Sequence, residues 1–246
     1  MSNAAKPPFV AQHSIPQGVV STRWWWVRHA PVREDGGCIY GQADLGCDTS
    51  DAVVFDAVGK ILPRDAVWYS SKLKRTHQTA DAIWGAGYPK PNSMEQVADL
   101  NEQHLGDWQG LNRAEFFASR KISLSSFWFA PIADRSPNGE SFMDLYERVR
   151  RAILHINTVH AGRDIIAVAH GGTIKAAISL ALGDQAERGL PFTIDNCSVT
   201  RLDFLKGADD SGWRAPMVNQ QPWIADPSHA AMHQPAGPEA VPTKLA

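Results

Sequence analysis

At 246 residues the chain suits a single domain with a substantial core. Its 24 lysines and arginines against 26 aspartates and glutamates leave a net charge of -2. That excludes a broad field drawing in nucleic acid or anionic membrane, so any positive potential must be local. Cys38, Cys47 and Cys197 lack CxxC or zinc-ligand spacing and, being odd in number, cannot all pair within the chain; they read as reduced thiols of a cytoplasmic protein.

In chain order, residues 1–20 read as a flexible N-terminal extension, because Pro7, Pro8 and Pro16 break any apolar leader. No apolar run is long enough to span a bilayer. A strand over Arg23–Val27, with three consecutive tryptophans, ends at Arg28 and His29. A second over Ala66–Tyr69 ends at Ser70 and Ser71, and the spacing then predicts a helix over Thr76–Trp84. Residues 110–138 form an aromatic-rich cover segment carrying Phe116, Phe117, Phe127, Trp128 and Phe129. Ser141 and Asp144 open a capping box for an amphipathic helix reaching Val159. A third buried strand, Ile165–Ala169, delivers His170 to a helix over Thr173–Leu182 that Gly183 stops. Ser198–Leu205 alternates as a half-exposed strand does, antiparallel at an edge. Residues 226–246 are a Pro/Ala-rich tail whose His229 and His233 read as solvent-exposed, without a ligand role. The folded domain is placed at 21–225.

Three strand ends thus carry chemically useful side chains, and ligands bind beyond the carboxyl ends of strands in open α/β sheets. Arg28-His29 alone is weak evidence. Ser70 to Ala80 turns from strand into helix and places Arg75 near free backbone N–H groups, which suits an anion. His170-Gly171-Gly172 does the same with two glycines that let amides approach closely.

Taken together and in order, these segments resemble the histidine phosphatase superfamily, in the branch that includes the cofactor-dependent phosphoglycerate mutases. Arg28-His29-Ala30 matches two positions of that family's Arg-His-Gly triplet. Ser71, Arg75, Thr79 and Ala80 match its Ser-x-x-x-Arg-x-x-x-Thr-Ala signature, and Leu100, Glu102, Gly106, Trp108 and Gly110 match Leu-x-Glu-x-x-x-Gly-x-Trp-x-Gly. Gly139-Glu140-Ser141 and His170-Gly171-Gly172 complete the set. Ala30 departs from the family glycine, Arg33 falls one position off an arginine of the acid-phosphatase branch, and Asp35 lies near a position where many relatives have an asparagine that contacts phosphate. Neither Arg33 nor Asp35 is assigned a role.

The resemblance implies His29 as nucleophile, forming a phosphohistidine. It implies Arg28 and Arg75 as clamps on the nonbridging oxygens, with Gly171 offering its amide and His170 protonated beside the phosphate. Glu102 would protonate the leaving alkoxide and then activate water, which calls for a carboxyl whose pKa is raised by burial and nearby phosphate charge. Trp108 is expected to pack; Ser71 and Glu140, to support. No metal or organic cofactor is required, and the expected partner is a small phosphomonoester, as for broad-specificity or α-ribazole-type phosphatases. Nucleic acid and membrane are not expected partners; a homodimer is compatible with the chain. Two alternatives stand: phosphoglycerate mutase-type transfer, and a noncatalytic phosphate-binding scaffold. The fold inferred is α/β, a three-layer α/β/α sandwich with a mainly parallel central sheet and helices on both faces.

Overall fold

The computed structural model describes residues 15–119 and 130–225. The fifth to seventh residues of strand β1 (Val20–Arg28) are the tryptophans, and strand alternation sends Trp24 and Trp26 to one face and Trp25 to the other. The chain continues through α1 (Ala52–Ile61), β2 (Ala66–Ser70), α2 (Lys74–Gly85), β3 (Met94–Gln96) and α3 (Arg113–Ser119). It ends with α4 (Phe142–Val159), β4 (Asp164–Ala169), α5 (Gly171–Ala181), β5 (Val199–Lys206) and β6 (Ser211–Gln220).

The strands form one six-stranded sheet in the order β3-β2-β4-β1-β5-β6. The first four are mutually parallel, with Trp24 beside Ile165 and Trp68 beside Ile166, while β5 runs antiparallel to β1 and β6 to β5. Trp24 and Trp26 stack at 4.9 Å and bury against α4 and α5 with Ile165, Ile153 and Ile178. Val27, Trp68, Ile166 and Val168 face the other way, against Phe55 and Val58 of α1 and Ile83 of α2. The expected three-layer α/β/α sandwich with a mainly parallel sheet is what forms.

The polar ends of these elements are also satisfied. Arg23 meets the Asp164 carboxylate through two hydrogen bonds of 2.6 and 2.5 Å, which ties β1 to β4 at their starts. The capping box of α4 is complete, with Asp144 N donating to Ser141 Oγ and Ser141 N donating to Asp144 Oδ2.

One expectation is corrected. The strand predicted over Ser198–Leu205 is antiparallel, but it is not at the edge. It lies between β1 and β6, and within it the charged Asp203 is fully buried. Its carboxylate accepts hydrogen bonds from Arg201 at 2.8 Å and from Arg214 of β6 at 2.7 Å, which is how a charge is tolerated there. Phe127, Trp128 and Phe129 of the expected cover lie outside the described residues, as do His229 and His233. Among the described residues no helix is long and apolar enough to cross a membrane.

Candidate active site

Parallel register brings the ends of β1, β2 and β4 level. His29 N donates to Ala169 O at 2.9 Å and Ser71 N to Val168 O at 3.3 Å, so the ladder runs past each strand and delivers His29, Ser71 and His170 to one place. The His29 and His170 rings lie 5.1 Å apart, centroid to centroid, tilted by 56°. Both are almost wholly buried.

The partners of each imidazole fix its tautomer. His29 Nδ1 lies 2.7 Å from Ala30 O. A carbonyl only accepts, so Nδ1 carries the proton and Nε2 keeps a lone pair. Arg75 Nε, which only donates, reaches His170 Nδ1 at 3.3 Å, which leaves the His170 proton on Nε2, directed at Ser71 Oγ 2.8 Å away. Ser71 Oγ also accepts from Leu73 N at 3.1 Å and stands 3.1 Å from Thr76 Oγ1, to which it can pass its own hydrogen. Burial, followed by the guanidiniums of Arg75 and Arg28, holds the His29 imidazole well below its usual 6.5. Burial, Arg75, His29 and Arg28 do the same to His170. Geometry and burial thus describe a neutral His170, so the protonated form implied by the resemblance calls for a negative charge beside it.

Arg75 is fully buried within the first turn of α2, and burial lowers its pKa. Three of its five N–H groups are committed, to His170 Nδ1, to Ala43 O at 2.9 Å and to Gly41 O at 2.7 Å, leaving one on each terminal nitrogen. Arg28 donates to Ile194 O through Nη1, while its buried Nε has no partner. An orphaned buried donor is costly unless a ligand takes it. Gly171 sits directly over it, with a hypothetical Cβ only 3.6 Å from Arg28 Nε.

Glu102 approaches from the loop after β3. Its carboxylate accepts from its neighbour Gln103 N at 2.9 Å and from Gly172 N, in the first turn of α5, at 3.2 Å. A Cβ on residue 172 would stand 2.4 Å from Glu102 Oε1, so only glycine leaves the carboxylate room.

A cavity of about 440 Å³ opens on Arg28, Glu102, Asn196 and Tyr40, with Leu105 and Phe117 among its apolar walls. His29 and Arg75 do not line it but bond to residues that do: Asn196 Nδ2 donates to His29 O at 2.7 Å, and Arg75 holds Gly41 O. The expected group of Arg28, His29, Arg75, Glu102, His170 and Gly171 is thus brought together. Asp35, left unassigned, lines the cavity too, but its carboxylate is engaged by Arg113 at 2.5 Å, which holds its pKa low. Arg33 pairs with Asp48 on the surface. Ala30 has no positive φ, so the missing family glycine costs the turn nothing; its N–H donates to Thr79 Oγ1 at 2.8 Å. Phe116 packs on Trp108 at 5.3 Å, whereas Phe117 reaches the cavity.

Sequence reasoning missed Asn196 and Arg148. Asn196 had no local signal beyond preceding a strand. Arg148 did have one: it is a charged side chain on the apolar face of α4, between Leu145 and Ala152, where a charge must be paired to stay buried.

These parts are a lone-pair imidazole, a second neutral imidazole, two guanidiniums and a carboxyl that lines the cavity, a set of groups chemically suited to holding a phosphoryl group. The chain belongs to the histidine phosphatase superfamily (branch 1), which matches over residues 24–219. It is 36% identical over 114 residues to the metal-independent phosphoserine phosphatase of Arabidopsis thaliana, covering 46% of this chain and 47% of that one. It is 35% identical over 116 residues to 2,3-bisphosphoglycerate-dependent phosphoglycerate mutase 2 of Gloeobacter violaceus, covering 46% and 52%. The chain therefore spans about half the length of these curated relatives. Among solved structures, a mycobacterial glucosyl-3-phosphoglycerate phosphatase is similar with a TM-score of 0.67 at 25% identity, over 81% of this chain and 99% of that one. Phosphatases and mutases both stand among the relatives.

Proposed function

We propose that this chain is a cytoplasmic phosphatase that hydrolyses a small organic phosphomonoester through a phosphohistidine on His29, without a metal ion. The observation that carries this reading is the tautomer of His29: Nδ1–H is tied to Ala30 O, so the Nε2 lone pair is the free nucleophile, beside two guanidiniums.

In the first step Nε2 attacks phosphorus as the P–O bond to the alcohol breaks. The unpaired Arg28 Nε–H and the two remaining Arg75 N–H groups bind the nonbridging oxygens, and His170 Nδ1 takes the proton of a monoanionic phosphate, exchanging its bond from Arg75 Nε–H for one it donates to a phosphate oxygen. Glu102 gives its proton to the leaving oxygen. It then takes a proton from water, which attacks phosphorus and returns the lone pair to Nε2. The guanidiniums supply the positive charge that a metal ion provides elsewhere.

Phosphatase rather than mutase chemistry is favoured by the charges at the cavity. Outside the phosphate cradle a leaving group meets the Asp35–Arg113 ion pair, whose charges offset each other, and the apolar side chains of Leu105 and Phe117. A phosphoglycerate, with its second anion, is poorly matched to that wall; a less charged alcohol with apolar surface is better suited.

The test is phosphate release from p-nitrophenyl phosphate and a panel of metabolite phosphates in the presence of EDTA, comparing wild type with His29→Ala. Turnover that survives chelation and disappears in the variant is expected. Activity that needs an added divalent ion, or phosphoglycerate isomerisation outrunning phosphate release, would overturn the proposal.

A further inference from the structure

Arg148 and Glu140 make no side-chain hydrogen bond to Arg28, His29, Arg75 or His170, yet they form a polar cluster beside the cavity-lining Glu102 and Gln103. The Arg148 side chain is only 9% exposed, and every one of its five N–H groups is used. Nε and Nη2 grip the Glu140 carboxylate at 2.8 and 2.9 Å. Nη1 donates to Asp99 O and Asn101 O, and Nη2 to Glu102 O, each at 2.8 Å. Glu140 Oε2 also accepts from His104 N at 2.9 Å, and Glu140 O accepts from Gln103 Nε2 at 2.8 Å. The loop around Glu102 is thereby fastened at residues 99, 101, 102, 103 and 104 to one ion pair.

An arginine on the apolar face of α4 is costly to bury, and the backbone carbonyls it holds are the compensation. Gln42 Nε2 donates to the same Glu102 carbonyl at 2.8 Å. The Glu102 backbone is set by α4 and its carboxylate by Gly172 N of α5, so the distance between these two helices determines where the proton donor stands.

We propose that Arg148 and Glu140 are positioning residues that aim the Glu102 carboxyl at the leaving-group oxygen. The proposal rests on the reading above that Glu102 transfers the proton. Its signature is selective. A nitrophenolate leaves without a proton, whereas an alkoxide does not, and kcat/KM reports the steps up to alcohol departure.

The experiment measures kcat/KM for a series of alkyl and aryl phosphates of graded leaving-group pKa, with wild type, Arg148→Lys, Glu140→Gln and Glu102→Gln. Lysine keeps the positive charge, which also acts on His170, but cannot reproduce the fork. A positioned acid contributes on the order of 100-fold or more, so Arg148→Lys is expected to lose at least about tenfold on alkyl phosphates and under about threefold on p-nitrophenyl phosphate. Glu140→Gln should show the same tilt, and it carries the test if Arg148→Lys does not fold. Adding Arg148→Lys to Glu102→Gln should produce no further tilt. An equal loss across the series, or no loss, would overturn the assignment. The underlying reading fails separately, if His29→Ala or Glu102→Gln retains wild-type rates on alkyl phosphates.

Discussion

The decisive features of the site are single atoms with a fixed role. His29 Nδ1 is tied to a carbonyl, and Arg28 Nε is buried without a partner. Glu102 Oε1 occupies the space a side chain at position 172 would need. That last contact makes a prediction that separates stability from function. Gly172→Ala adds a better helix former near the start of α5, worth up to about 1 kcal/mol toward the fold. Its Cβ, however, displaces the Glu102 carboxyl. Because that Cβ also crowds the buried Leu145 Cδ2 at 3.1 Å, which offsets the helix gain, we expect a Tm little changed together with a fall in kcat/KM on alkyl phosphates of about tenfold or more. Steady-state kinetics beside a thermal melt checks this, and a variant with full activity would show that Glu102 does not need its present position.

At the scale of elements, motif residues that look catalytic in the sequence divide into those that react and those that let two segments meet. Gly106 adopts φ +46°, and a Cβ there would stand 2.0 Å from Pro137 O; Asp107 N donates to that same oxygen at 2.9 Å. The glycine thus serves the contact between the Glu102 loop and the segment leading into Glu140. Sheet elements show the same division. Asp203 joins β5 to β6 through Arg214, with Arg201 of its own strand as a second partner, and lines no part of the cavity. Asp203→Asn leaves two part-exposed arginines without their carboxylate, and should cost about 1–3 kcal/mol with kcat unaltered. Urea unfolding would contradict this if the midpoint did not move.

The strands that bear the site were legible because each is a short apolar run that stops at a polar residue, and α4 was legible from its capping box and spacing. The helix α1 was not read, since its Val53, Val54 and Phe55 favour strand as much as helix and Asp51 gives the start little emphasis. Strand β6 was not read either, because Pro216 and its polar residues suit an edge strand that shows no alternation. Missing β6 is what put β5 at the edge. For the site, the reacting side chains were found through ordered motifs, while Arg148 and Asn196 act through backbone atoms distant in sequence, a pairing that no local pattern encodes.

For the molecule as a whole, the two buried imidazoles link stability to pH. His29 and His170 are both held neutral well below 6.5 in the folded state by burial and the neighbouring arginines. The unfolded chain takes up protons on these groups as pH falls below about 6.5, the folded chain only much lower. Unfolded molecules then bind more protons, so stability must decline with falling pH in that window. Tm in phosphate-free buffer should drop between about pH 7 and pH 5, and less steeply for His170→Gln. Inorganic phosphate should blunt the drop, since its charge favours protonated His170. A flat profile for the wild type would mean that the imidazoles are not held as described.

The proposed mechanism depends on His29 Nε2 becoming covalently attached to phosphorus. The most direct measurement mixes the protein with a rapidly reacting aryl phosphate, quenches in alkali and looks for an acid-labile, alkali-stable phosphoryl group by intact mass and peptide mapping. One phosphoryl group per chain is expected, on His29, formed without added metal and absent from His29→Ala. Turnover with no trapped phosphoprotein, or a label on another residue, would contradict it.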